Sequence, residues 1–172
     1  MNFAIFLTLN LVSLVNLPPK TSVQDVMYLA RLVCSEAGYS KEEGKRVLRV
    51  VYNRSKLHGV SVIDAAKRPY QFYSGNCTGA RESWIKWHHI ELAIETLRGT
   101  IKAEPVLNDH TVTYFGTKKR LSKPHSRCKG YTIRQVWQWY GLRKVLTTEV
   151  GHEFYSKSAG KPGCPPKKGA SG

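Results

Sequence analysis

Residues 29–54, LARLVCSEAGYSKEEGKRVLRVVYNR, restrict the folds open to this chain more than any other stretch. Val26, Leu29, Ala30, Val33 and Ala37 recur at helical spacing, which predicts an amphipathic helix. Gly38 is a natural stop for it. Ser40 followed by Glu43 reads as a capping box, so a second helix is expected from about Lys41. Its inner stripe is Val47, Val50, Val51 and Arg54, with Leu48 beside it, and Gly59 ends it. A link as short as Gly38 and Tyr39 folds the two helices into a hairpin.

Glu36 is the candidate catalytic group. Leu29, Val33 and Glu36 stand in an i, i+4, i+7 relation, which puts the carboxylate on the side of the helix expected to be buried. Partial desolvation and the negative end of the helix dipole both disfavour its charged form and are expected to raise its pKa. A carboxyl that keeps its proton near neutrality is a general acid. On spacing alone, a commoner occupant of such a position is a glutamate that turns to solvent or pairs with an arginine.

Charge narrows the partners. In 172 residues, 27 Lys and Arg oppose 12 Asp and Glu, a net +15. Such a surface attracts nucleic acid, anionic membrane or acidic wall polymers. The length fits one domain with short tails, and ordinary hydrophobic content excludes a disordered chain. Cys34, Cys77, Cys128 and Cys164 contain no Cys-x-x-Cys pair, which argues against a zinc ribbon. Two disulfides in any of three pairings, or a plain buried thiol at Cys34, are both open.

Residues 3–17 form an apolar run too short to span a membrane comfortably. It reads as a signal-peptide core or as an apolar arm, although no basic residue precedes it. Residues 1–21 are then a leader or arm with a linker, 22–157 the domain, and 158–172 a basic Gly/Pro-rich tail. Within the domain, 62–67 is one helical turn and 70–75, an aromatic stretch, is a loop or short strand. A third helix runs from Trp84 to Arg98, with Trp87, Ile90, Ala93, Ile94 and Leu97 as its inner face. His88, His89 and Glu91 lack the His-Glu-x-x-His spacing and read as a solvated face. Residues 111–116 read as a strand. Residues 118–129 are a basic loop with six cations, either solvated or a clamp for anionic polymer. Ile133, Val136, Trp137 and Tyr140 suggest a fourth helix.

Several of these pieces carry a resemblance. Glu36-Ala37, Glu43-Gly44-Lys45 and Val50-Val51-Tyr52-Asn53-Arg54 look like the opening signature of the SleB/CwlJ-type cell-wall hydrolases. Gln71-Phe72, Tyr114-Phe115 and Gly151-His152-x-Phe154-Tyr155 follow in that family's order. Three departures stand against it. Gly38-Tyr39 replace the family's usual Arg-Gly, Tyr73 intrudes before Ser74, and the segment from Ile133 has no counterpart.

The resemblance implies an α+β, lysozyme-like domain, with a mainly helical lobe and a small strand-rich lobe around a cleft. It implies cleavage of peptidoglycan between N-acetylmuramic acid and N-acetylglucosamine, with Glu36 as acid/base and no cofactor or metal. Asn53, Gln71, Tyr114 and His152 would hold sugar or stabilise positive charge, and Phe72 and Tyr155 would stack on rings. The favoured version is lytic transglycosylation, in which Glu36 alone serves as acid and then as base, because the nucleophile, the muramoyl 6-hydroxyl, belongs to the substrate. A two-carboxylate scheme needs a second acid, for which Asp64, Asp109 and Glu153 are only candidates, and no motif fixes one. The expected substrate is bacterial peptidoglycan, with anionic wall polymers as further partners. No specific nucleic acid is expected. The chain would act as a monomer on the wall, either exported or as a phage lysis or virion protein. Two rivals remain. One is a non-enzymatic polyanion binder. The other is a zinc amidase or peptidase using some of His88, His89, His110, His125, His152 and the cysteines.

Overall fold

The computed structural model describes residues 17–68, 72, 77–157 and 164–166. The aromatic stretch around Gln71, the apolar run 3–16 and most of the tail lie outside the described residues. Six α-helices and one three-stranded antiparallel sheet make a mixed α+β chain among the described residues. It divides between Asn108 and Asp109 into two compact units.

The first unit is helical. α1 (Val23–Ala37) starts at Ser22, whose hydroxyl accepts the Asp25 N–H while the Asp25 carboxylate accepts the Ser22 N–H. α2 (Lys41–His58) starts at Ser40, and α3 (Val62–Lys67) is the expected single short helix. The expected capping box on α2 is only half present. Ser40 Oγ accepts the Glu43 N–H at 3.2 Å, but the buried Glu43 carboxylate pairs with Arg46 at 2.9 Å. The Ser40 N–H goes to the Ala37 carbonyl. α4 (Trp87–Arg98) begins later than the sequence suggests, because Gly79–Trp84 form a separate 3-10 helix.

Leu29, Leu32 and Val33 of α1, Val47, Leu48, Val50 and Val51 of α2, and Leu92 and Ala93 of α4 are fully buried. Gly44 is what lets α2 approach so closely. A β-carbon there would stand 2.9 Å from side-chain atoms of both Leu92 and Val33. The buried face of α4 is rotated from the apolar stripe and includes His89 and Thr96. The reason is local satisfaction: the Thr96 hydroxyl donates to the Leu92 carbonyl, and His89 has two backbone partners described below.

The second unit is built on β3. β1 (Val112–Thr117) and β2 (Leu142–Thr147) flank β3 (His152–Lys157) in the order β1-β3-β2. Phe115 pairs with Phe154 across one ladder and Leu146 with Phe154 across the other. Four successive residues of β3, the central strand, are buried. One face carries Tyr155 into a core of Leu121 and Leu142, with Tyr114, Ile133 and Trp137 packed against it. The basic loop opens with the short helix α5 (Lys118–Leu121), and the expected aromatic-rich helix is α6 (Ile133–Trp139).

Cys34 is joined to Cys77 and Cys128 to Cys164, so both disulfides form and each lies within one unit. No described helix is long and apolar enough to cross a membrane.

Candidate active site

Glu36 lies half-buried in the last turn of α1, and three ties fix the helix end around it. Two residues before it, Cys34 is bonded to Cys77. One turn earlier, Arg31 Nε donates to Glu82 at 2.9 Å. Two residues after it, Gly38 turns the chain with φ 57° and ψ −130°, a conformation that L side chains rarely adopt. The Gly38 carbonyl accepts a hydrogen bond from His89 Nε2 at 2.7 Å.

His89 is fully buried at the start of α4. Its Nδ1 accepts the Lys86 backbone N–H at 2.9 Å, so that nitrogen carries no proton and Nε2 carries the one given to Gly38. Burial, reinforced by the charges of His88 and Lys86, pushes its pKa below the ordinary histidine value, and the bond to Gly38 only partly opposes this. A neutral imidazole therefore clamps α4 to the turn after Glu36. The sequence reading placed His89 on a solvated face; the structure corrects this, because both ring nitrogens find backbone partners inside. Beside Glu36, the hydroxyl of Ser35 is buried and has no hydrogen-bond partner among the described residues. Tyr39 is 61% exposed, with the Lys86 ammonium 5.6 Å from its ring centre.

The other candidate residues divide between the units. Asn53 is fully buried in the first unit, where its Nδ2 donates to the Leu107 carbonyl at 2.8 Å. Together with Arg49, which donates to Ile101 and Asn108 carbonyls, it anchors the 3-10 helix Pro105–Asn108 on α2. Phe72 lies under the Arg54 guanidinium, 4.7 Å from the ring centre. Gln71 is outside the described residues.

In the second unit, Tyr114 meets Trp137 edge-on at 5.7 Å, and the buried His152 meets Phe115 in the same manner. Tyr155 is a core residue, 1% exposed, whose hydroxyl donates to Glu153 at 2.6 Å. Its ring is not presented for stacking on a sugar. Burial first, and then the Glu153 carboxylate, push its phenol up to about 12.

The three candidate second carboxylates all have structural partners. Asp64, in the first turn of α3, accepts from the hydroxyl of the capping Ser61 at 2.7 Å. Asp109 accepts the Thr111 N–H at 2.8 Å. Glu153 is buried and takes two hydrogen bonds from Arg134, both at 3.1 Å. Burial alone would raise its pKa, but Tyr155 and Arg134 outweigh burial and hold it below its ordinary value. Arg134 gave no sign in the sequence, since it partners a residue 19 positions away.

Several of the groups named for a zinc site are engaged elsewhere. All four cysteines are in disulfides. His125 Nδ1 accepts the Cys128 N–H at 3.1 Å, and Glu91 pairs with Lys41 at 3.2 Å. Among the described residues no three of His, Cys, Asp or Glu converge on a point where a metal ion could sit. Of the cavities, one of about 480 Å³ lies among Pro18, Thr21, Asp25, Ile63 and Leu97, and one of about 210 Å³ among Lys41, Trp87, Glu91 and Arg98. Glu36 lines neither.

Compared with models of protein families, with curated proteins and with solved structures, the chain finds no match.

Proposed function

We propose that the chain degrades peptidoglycan, cleaving the glycan strand between N-acetylmuramic acid and N-acetylglucosamine, with Glu36 as general acid/base on a lysozyme-like α+β fold. The observation that carries this reading is the fixed, half-buried setting of Glu36, braced at Cys34 and at Gly38. A proton donor must be held within hydrogen-bond reach of the leaving oxygen, and a helix end tied at two flanking points supplies that restraint.

The reaction that needs one carboxylate is lytic transglycosylation. Glu36 protonates the glycosidic oxygen, and the C1–O4 bond breaks. The same carboxylate then takes the proton of the muramoyl C6 hydroxyl as O6 bonds to C1, closing a 1,6-anhydro ring. No water is consumed. Support comes from the engagement of Asp64, Asp109 and Glu153 in caps, turns and an ion pair, which leaves none of the three offered as the second acid of a hydrolase.

The alternative is a non-enzymatic basic protein that holds a polyanion, favoured by the net charge of +15. A lysis assay on purified walls separates the two. Wild type clears the suspension in the presence of a chelator, whereas Glu36→Gln binds but does not clear it. Equal clearing by both would remove Glu36 from the chemistry, and clearing abolished by the chelator would favour a metal-dependent amidase or peptidase.

A further inference from the structure

The charge of this chain is segregated. Residues 109–172 hold 13 Lys and Arg against three Asp and Glu, a net +10, whereas residues 1–108 hold 14 against nine, a net +5. Of the three acids in the second unit, Glu153 is already neutralised by Arg134. Lys118, Lys119, Arg120, Lys123, Arg127 and Lys129 are all exposed, and none makes an ion pair among the described residues.

The backbone beneath these six cations is braced. Thr117 caps α5 by accepting the Arg120 N–H, and Lys118 N–H reaches the Gly151 carbonyl at 2.9 Å. Ile133 N–H donates to the Lys123 carbonyl at 2.9 Å, and His125 N–H to Tyr131 at 2.8 Å. Pro124 bridges to Thr132, and Cys128 is bonded to Cys164. Cations on an ordered backbone lose less entropy on binding than cations on a mobile loop.

We infer that this array, on the second unit, is a binding site for an anionic polymer of repeating phosphodiesters. Two features select the ligand class. The array is dense in point charges, six in twelve residues, which matches closely spaced phosphates. Among the described residues it carries no well-exposed aromatic ring of the kind on which single-stranded nucleic acid stacks. The well-exposed aromatic side chains, Tyr39 and Trp84, are in the first unit. Tyr131, next to the array in sequence, is only partly exposed, with its hydroxyl donating to the Pro166 carbonyl. The array is therefore better matched to backbone charge than to stacked bases. That the polymer is one attached to a bacterial wall rests on the reading of the chain as a wall enzyme; the cation array does not.

The test uses full-length Glu36→Gln protein, which leaves walls intact, sedimented with wall sacculi that carry their phosphodiester polymers and with the same sacculi stripped by hydrofluoric acid. Binding should be at least roughly ten-fold tighter to intact sacculi and should weaken steeply with salt, by about 0.7 in log–log slope for each phosphate contact. K118Q/K119Q/R120Q/K123Q should lose at least ten-fold in affinity for intact sacculi and, with Glu36 restored, still cleave stripped ones. Should that variant unfold, Arg127→Gln with Lys129→Gln, on the disulfide-held loop, must show a several-fold loss. Equal binding to intact and stripped sacculi, or unchanged binding by the folded variants, would overturn the inference. So would duplex DNA competing better than soluble polyphosphate at equal phosphate, which would make the array a nucleic-acid interface. Selective binding without any Glu36-dependent cleavage would leave the array standing and sink only the enzyme reading.

Discussion

His89 Nε2 lies 2.7 Å from the carbonyl oxygen of Gly38, two residues beyond Glu36. This one bond joins the start of α4 to the end of α1, 51 residues apart in the chain. On the other side of Glu36, the disulfide from Cys34 joins the same helix turn to Cys77. The carboxylate thus sits on a helix end whose position is set by two distant segments, and not by the helix alone.

Removing the clamp should cost stability. His89→Ala leaves the Gly38 carbonyl and the Lys86 N–H without their buried partner and opens a cavity, for an expected loss of about 2–4 kcal/mol. His89→Gln can still donate to Gly38 from its amide nitrogen and should lose about half as much. Urea denaturation measures both; equal losses would mean that packing, and not the Gly38 bond, is what His89 supplies.

The clamp also predicts a pH response. The His89 pKa is lowered in the folded state, by burial first and then by neighbouring positive charge. As pH falls below the ordinary value of 6.5, the unfolded imidazole takes a proton that the folded one refuses. The stability contributed by neutral His89 is therefore fully present above that value and is lost progressively below it. His88, lowered chiefly by burial, adds in the same direction. Thermal unfolding across this range should show a steeper acid-side loss in wild type than in His89→Gln, and parallel curves would contradict the assignment.

The two disulfides should differ in their effect on activity. Their separations of 43 and 36 residues give nearly equal expected contributions of about 4 kcal/mol each on the chain-entropy model. Only Cys34–Cys77 flanks Glu36. Replacing that pair by serine should depress wall cleavage well beyond the effect of replacing Cys128 and Cys164, at a temperature where both variants remain folded. Equal activity losses would separate the brace from the catalytic site.

Gly44 tests the helix packing itself. In an exposed helix interior, Gly→Ala gains about 1 kcal/mol. Here the added carbon would stand 2.9 Å from Leu92 and Val33, both fully buried. Overpacking of about 1–3 kcal/mol should exceed the propensity gain, so Gly44→Ala is expected to destabilise by about 1 kcal/mol. A stabilised variant would show that α1, α2 and α4 pack more loosely than described.

Much of the first unit was legible because its signals are local. Ser40 marks a helix start, Gly38 and Gly59 mark ends, and the stripes of α1 and α2 are strongly periodic. The face of α4 was not legible, since its buried His89 and Thr96 are polar residues whose partners are backbone groups that a residue pattern does not display. Nor was the sheet. β2 has no clean alternation, and β3 buries four residues in a row, including a glutamate whose partner is on α6. At the candidate site, helix phase puts Glu36 on the inner side of α1, where the structure has it half-buried, whereas the sugar-binding role of Asn53 comes only from the family resemblance. The structure places Asn53 inside, holding Leu107. The disulfide pairing was open among three choices until the chain was folded.

The most direct measurement is mass spectrometry of the products released from purified peptidoglycan by wild type and by Glu36→Gln. The account predicts 1,6-anhydro-muropeptides from wild type and a loss on the order of 10²–10⁴-fold in their rate of release by the variant. Glycan cleavage undiminished in Glu36→Gln, or no glycan cleavage by wild type on walls of several chemistries, would contradict it.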